Sequence, residues 1–156
     1  MHRFFVPPDW LGSQRVILPN PLAHQISRVL RLRTGEHILL LDGTGLAYEV
    51  ALDVVGASQV TGSVVAESRP QTEPHVRVVL CHALPKARKF EWILQKGTEL
   101  GVGMFAPMIT RHSVARESER IGQKLRRWRR IVTEAAEQSR RAMVPQVLAP
   151  QPFSAA

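Results

Sequence analysis

The sequence predicts a two-domain α+β chain, a small antiparallel β-barrel followed by part of an α/β domain with a parallel sheet. Three observations carry this. Up to residue 70, short β-prone segments alternate with tight turns. Ser68–Pro74 (SRPQTEP) is polar, holds two prolines and reads as a linker. Beyond it the order becomes β-α-β-α-β, which calls for parallel strands joined by right-handed crossovers. The boundaries that follow are 1–70, a linker at 71–74, and 75–156.

Within the first domain, Arg3–Val6 and Arg15–Leu18 are the opening strands, separated by a Pro-Pro and a Gly-Ser break. Pro21–Leu30 reads as a short helix, with Leu22, Ile26, Val29 and Leu30 at helical spacing. His37–Asp42 and Leu46–Val54 form a hairpin around Gly43-Thr44-Gly45, and Gln59–Glu67 is a further strand.

In the second domain, His75–Ala83 is a nearly continuous apolar run, as expected of a strand buried on both faces. Arg88–Leu100 is a helix with Phe90, Ile93, Leu94, Gly97 and Leu100 on one side, capped by Gly101. Met104–Ile109 is a second buried strand, and Thr110–Ser118 a polar loop. From Glu119 to Pro145, residues Ile121, Leu125, Trp128, Ile131, Val132, Ala135, Ala136, Ser139 and Met143 recur in steps of three and four. They form one face of a long helix whose other faces are very basic. That helix is expected to end at Pro145, with Arg140 and Arg141 in its last turn. Gln146–Ala149 is a third strand. Three strands make a short parallel sheet, since doubly wound sheets usually have five or more.

The chain has 156 residues, 44% of them hydrophobic, enough for a real core. No run approaches a membrane span, and the start does not read as a signal peptide. A single cysteine, Cys81, excludes an internal disulfide and points to a reducing cytoplasm. Six scattered histidines lack paired ligand spacing, so no metal site is expected. The net charge of +8 is uneven: residues 1–74 hold 6 Lys+Arg against 7 Asp+Glu, residues 75–156 hold 15 against 6. The excess in the second half favours a polyanionic partner, nucleic acid first.

Gly101–Ala106 matches G-x-G-x-x-A, but it follows a helix and precedes a strand, so it reads as a cap and a tight turn. His24, Arg28 and Arg31, spaced four and three apart, line one helix face with Arg33 nearby, a phosphate-contact candidate. Lys86, Arg88 and Lys89 lie just past the first parallel strand, at the end where α/β sheets bind ligands. Glu99 and Glu137 are carboxylates on apolar helices that need partners, and Arg111, Arg140 or Arg141 could supply them. Glu99 reads as half of a structural ion pair. For Glu137 the structural and catalytic readings are even. Trp92 lies off its helix's main stripe and marks a second contact surface, such as a subunit interface.

Taken together, an ordered set of pieces resembles the RsmE family of 16S ribosomal RNA uridine-N3 methyltransferases. They are Arg3-Phe4-Phe5-Val6, His24 with Arg28-Val29-Leu30-Arg31, Asp42-Gly43-Thr44-Gly45, and Lys86 with Lys89-Phe90-Glu91-Trp92. Gln95–Val102, Pro107, Arg127-Trp128, Glu134–Ser139, Arg141 and Val144-Pro145 complete the set. The resemblance implies a PUA-like RNA-binding barrel and a SPOUT-type α/β domain with a trefoil knot. It implies S-adenosyl-L-methionine as methyl donor, 16S ribosomal RNA or the small ribosomal subunit as partner, and a homodimer. With that function in view, Arg3, His24, Arg28, Arg31, Arg33, Lys86, Lys89 and Arg111 are the expected RNA contacts, and the charged position of Glu137 and Arg141 on a small-residue helix makes them catalytic candidates near the target uracil. Arg140 stands where the family usually has glycine. The family's knot and cofactor site lie in its C-terminal third, so the cofactor site is expected beyond residue 156, and this chain to be the front part of such an enzyme. The alternative is an RNA-binding module without catalysis.

Overall fold

Alternation of apolar and polar residues builds the first sheet. In the computed structural model, which describes all residues but 12, 13, 87, 112–120 and 156, its strands are β1 (His2–Phe5), β2 (Arg15–Pro19), β3 (His37–Leu41), β4 (Ala47–Val55) and β5 (Gln59–Ser68). Their order is β1-β3-β4-β5-β2. Val16 and Leu18 on β2 are buried while Arg15, Ile17 and Pro19 are exposed, the period of two that a one-sided strand requires. Register shifts at Glu49/Val50 and Leu52/Val54 bend the β4–β5 pair. The sheet curls into a half-barrel around Ile26, Ile38, Leu40, Val50, Leu52 and Val60.

Two expectations need correction here. The sheet is mixed, because β1 runs parallel to β3 while the other three pairs are antiparallel. The helix after β2 is one α-turn, α1 (Leu22–His24), continued as a π-helix over Gln25–Val29. Arg31 therefore lies beyond the helix, at φ 55°, and does not share a helix face with His24 and Arg28.

The chain divides into two units, Met1–Gln71 and Thr72–Ala156. In the second, β6 (Val78–Ala83), β7 (Val102–Ile109) and β8 (Gln146–Val147) are parallel in that order. β9 (Gln151–Pro152) pairs parallel with the far end of β7, so the last strand is interrupted before Pro150 rather than continuous over Gln146–Ala149. Helices α2 (Lys89–Glu99) and α3 (Ile121–Gln138) pack on β7, on β8 and on each other. Phe90 meets Trp128 edge-on at 4.8 Å, above Leu94, Phe105, Val132 and Val147. A side chain at Gly97 would strike the Phe105 ring at 2.7 Å, so glycine lets α2 lie close on β7.

β6 departs from expectation. The apolar run suggested burial on both faces, yet Val76 is 70% exposed and Val78, Val79 and Cys81 are exposed too. The reason is position: β6 is the edge of the sheet, and the helices cover β7 and β8 instead. Leu100 is 84% exposed, because it follows the last residue of α2 and turns away from the stripe. The predicted loop at 110–118 lies, beyond Arg111, outside the described residues.

Candidate functional site

The long helix stops seven residues before Pro145, and the stop builds the centre of this region. Arg141 N–H donates to the Ala136 carbonyl at 2.9 Å, and Arg140 N–H to that of Glu137 at 3.3 Å. These paired bonds form a Schellman turn, and Arg140 holds its left-handed position at φ 61°. Glycine is the usual residue there, because a Cβ is disfavoured at positive φ. Arg140 and Arg141 therefore lie past the helix, not in its last turn. Met143, assigned to the buried stripe, is 43% exposed.

The turn drives the Arg141 side chain inward, where it is 6% exposed. Its Nε and Nη2 donate to Glu73 Oε2 at 3.0 and 2.5 Å, and its Nη1 to the Thr98 and Val102 carbonyls at 3.2 and 2.6 Å. Glu73 Oε1 accepts the Ala142 and Met143 amides at 2.9 and 3.1 Å. One ion pair thus ties together the segment before β6, the end of α2, the start of β7 and the loop after α3. Burial alone would raise the Glu73 carboxyl. The hydrogen bonds from Arg141, Met143 and Ala142, with the guanidinium charge, outweigh it and hold the group below its usual range.

Glu73 was missed in the sequence, where it fell inside the presumed linker. The one available signal was that it is the sole acid of SRPQTEP. Arg141 pairs with it rather than with Glu99 or Glu137. Glu99 instead pairs with Lys96 at 2.8 Å, a structural ion pair as expected. Glu137 is half-buried on the last turn of α3.

Beside this ion pair lies a cleft of about 500 Å³, lined by His75, Arg77, Gly101, Gly103, Met143 and Pro145 among others. It sits at the amino ends of β6, β7 and β8, opposite the ends where parallel sheets commonly bind ligands. At the carboxyl ends, Lys86 and Lys89 are exposed after β6 and Arg111 after β7. In the first unit, His24, Arg28, Arg31 and Arg33 are all exposed on the single connection between β2 and β3. Arg3 is half-buried on β1. The predicted cations are therefore spread over the β2–β3 connection, the junction of β6 and α2, the end of β7 and one strand. Among the described residues no group of three or more His, Cys, Asp or Glu is placed to hold a metal, and no helix is long and apolar enough to cross a membrane.

A family model for an RNA methyltransferase domain matches residues 72–156. The chain is 38% identical over 152 residues to ribosomal RNA small subunit methyltransferase E of Synechocystis, covering 97% of this chain and 48% of that protein. The Bacillus subtilis protein of the same name is 36% identical over 126 residues, covering 80% and 49%. The chain thus spans about half the length of these curated relatives. The crystal structure of ribosomal RNA small subunit methyltransferase E from Neisseria gonorrhoeae, bound to S-adenosyl methionine, superposes with a TM-score of 0.88 at 32% identity, covering 98% of this chain and 63% of that one.

Proposed function

The chain belongs to the RNA methyltransferase family, in the group of ribosomal RNA small subunit methyltransferase E, and from that premise we propose that it serves S-adenosyl-L-methionine-dependent methylation of small-subunit ribosomal RNA. The observation that carries this is the alignment of nearly the whole chain, both units included, with such a methyltransferase. The finer reading is that the target is N3 of a uridine in 16S RNA, that the protein works in the cytoplasm on the small subunit, and that it acts as a homodimer.

When bound, S-adenosyl-L-methionine supplies an electrophilic methyl on a sulfonium. The described residues do not fit a pocket for it. The carboxyl ends of the strands present Lys86, Lys89 and Arg111, cations that repel a sulfonium. The cleft at the amino ends offers His75 and Arg77, and its one carboxylate, Glu73, is engaged by Arg141. No step of methyl transfer is therefore assigned to these residues. Titration calorimetry of residues 1–156 with the cofactor is expected to show no binding heat.

The chain's own part is to hold RNA and present the base. N3 lies on the Watson–Crick edge of uracil, so the target must be unpaired when it reacts. Arg3, His24, Arg28, Arg31, Arg33, Lys86, Lys89 and Arg111 supply phosphate contacts in this reading. Glu137 is the carboxylate proposed beside the uracil, where a general base would take the imide proton. Arg141 is a positioning residue, acting through the loop it fixes.

The test is genetic and chemical. Deleting the gene and digesting the 16S RNA for mass spectrometry is expected to show loss of one 3-methyluridine. The intact gene should restore it, and a Glu137→Gln copy should restore much less. An unaltered methylation pattern in the deletion strain overturns the reading.

A further inference from the structure

We infer that the groove between α2 and α3 is a stacking site for an unpaired nucleobase of RNA, with Trp92 as its platform. The inference rests on the RNA-directed reading above and adds to it a site away from the loops already named.

Arg88, the residue before α2, and Trp92 and Gln95 on it are spaced at i, i+4 and i+7. Arg127, Ile131 and Gln138 recur at i, i+4 and i+11 along α3. Both sets fall on one helix face each, and together they line a groove of about 380 Å³. Phe90, Leu94 and Gly97 already anchor α2 to the core, so Trp92 is not needed there and stands 64% exposed. An exposed indole presents an apolar face with a polar N–H edge, a surface on which a flat ring can stack.

The surroundings select the occupant. The groove's two carboxylates are both engaged, Glu91 by Arg127 at 2.8 Å and Glu134 by Arg130 at 2.7 Å. The Arg88 guanidinium, on the groove wall, and Lys124, one turn before Arg127 on the same face of α3, are exposed beside them. An aromatic face flanked by surplus cations fits a polyanion whose units have flat faces, which is single-stranded nucleic acid. Gln95 and Gln138 offer amide donors and acceptors to a base edge. A second copy of this chain would bring the same cations against these and meet like charge.

The test uses the 156-residue chain and a single-stranded RNA 12-mer rich in uridine, with its duplex as control. Tryptophan emission should be quenched by the single strand, and Trp92→Phe should remove most of that quenching, because Trp128 is buried and Trp10 lies in the other unit. Trp92→Ala should weaken binding about tenfold, the worth of one base stack, and Trp92→Phe less. Arg88→Gln should reduce the salt slope by about 0.7, one counterion on a single strand. Circular dichroism should be unchanged in all three, since both side chains are exposed. If the parent binds RNA and Trp92→Ala binds equally well, the inference is overturned while the RNA-directed reading stands. It is overturned too if Trp92→Ala only turns a dimer into a monomer on sedimentation. If the parent binds no RNA, both fall together.

Discussion

β3 and β6 read almost alike as sequence, HILLL and VVLCHA, and fold into opposite circumstances. β3 is buried from Ile38 to Leu41, whereas β6 has no buried residue. β3 is hydrogen-bonded on both edges, parallel to β1 and antiparallel to β4. Among the described residues β6 is bonded on one edge, to β7. An apolar run thus reports the tendency to form a strand, but the strand's place in the sheet decides how much of it is covered. Sequence periodicity carries the first kind of information and not the second, because coverage depends on helices far along the chain.

The sharpest way to break this comparison is to truncate the buried strand. Leu40 is fully buried, paired with Phe4 on one side and Tyr48 on the other. Leu40→Ala is expected to cost about 3 kcal/mol, lost transfer energy plus a cavity. Urea unfolding followed by circular dichroism measures it. A cost below about 1 kcal/mol would mean that β3 is no better packed than β6.

In the second unit the Glu73–Arg141 ion pair ties four segments together. Glu73→Ala leaves a buried guanidinium and the Ala142 and Met143 amides without their acceptor. The expected loss is about 2–3 kcal/mol, at the low end for a broken buried pair because Glu73 keeps some solvent contact. The pH dependence has a definite sign. The folded pKa of Glu73 lies below its usual 4.5, so the contribution is complete above that pH and is lost as pH falls through the lowered value. The gap between parent and Glu73→Ala should therefore narrow in acid, and a gap that widens below pH 4.5 would contradict the pairing.

Much of this fold was legible in the sequence and two features of the candidate site were not. Trp128 on its helical stripe, the Gly101 cap and the short strands of the first unit all follow from local spacing. Arg141 was singled out, but its partner was not, because Glu73 lies 68 residues away in a segment whose composition says only linker. The end of α3 was misplaced for a related reason. Pro145 is a clear stop signal, whereas Arg140 holds a left-handed turn without the glycine that would announce it. That substitution gives a further prediction: Arg140→Gly relieves the strain of a Cβ at φ 61° and should stabilise the chain by about 1 kcal/mol in the same urea titration.

The smallest expected effect completes the comparison from the other side. Val79 sits in β6 opposite Met104, 47% exposed, and removing its apolar surface empties no cavity. Val79→Thr keeps the β-branch that suits a strand, so its unfolding free energy should stay within about 0.5 kcal/mol of the parent. Val79→Lys should be similarly mild, because a lysine stem lies along the strand while its ammonium stays in water. Its second effect is on association. An apolar strand with one unbonded edge is a template for pairing with another chain, and a charge there opposes it. Light scattering of concentrated Val79→Lys protein should accordingly fall below that of the parent. A destabilisation near that of Leu40→Ala would show that β6 is covered in solution, and the contrast between the two strands would disappear.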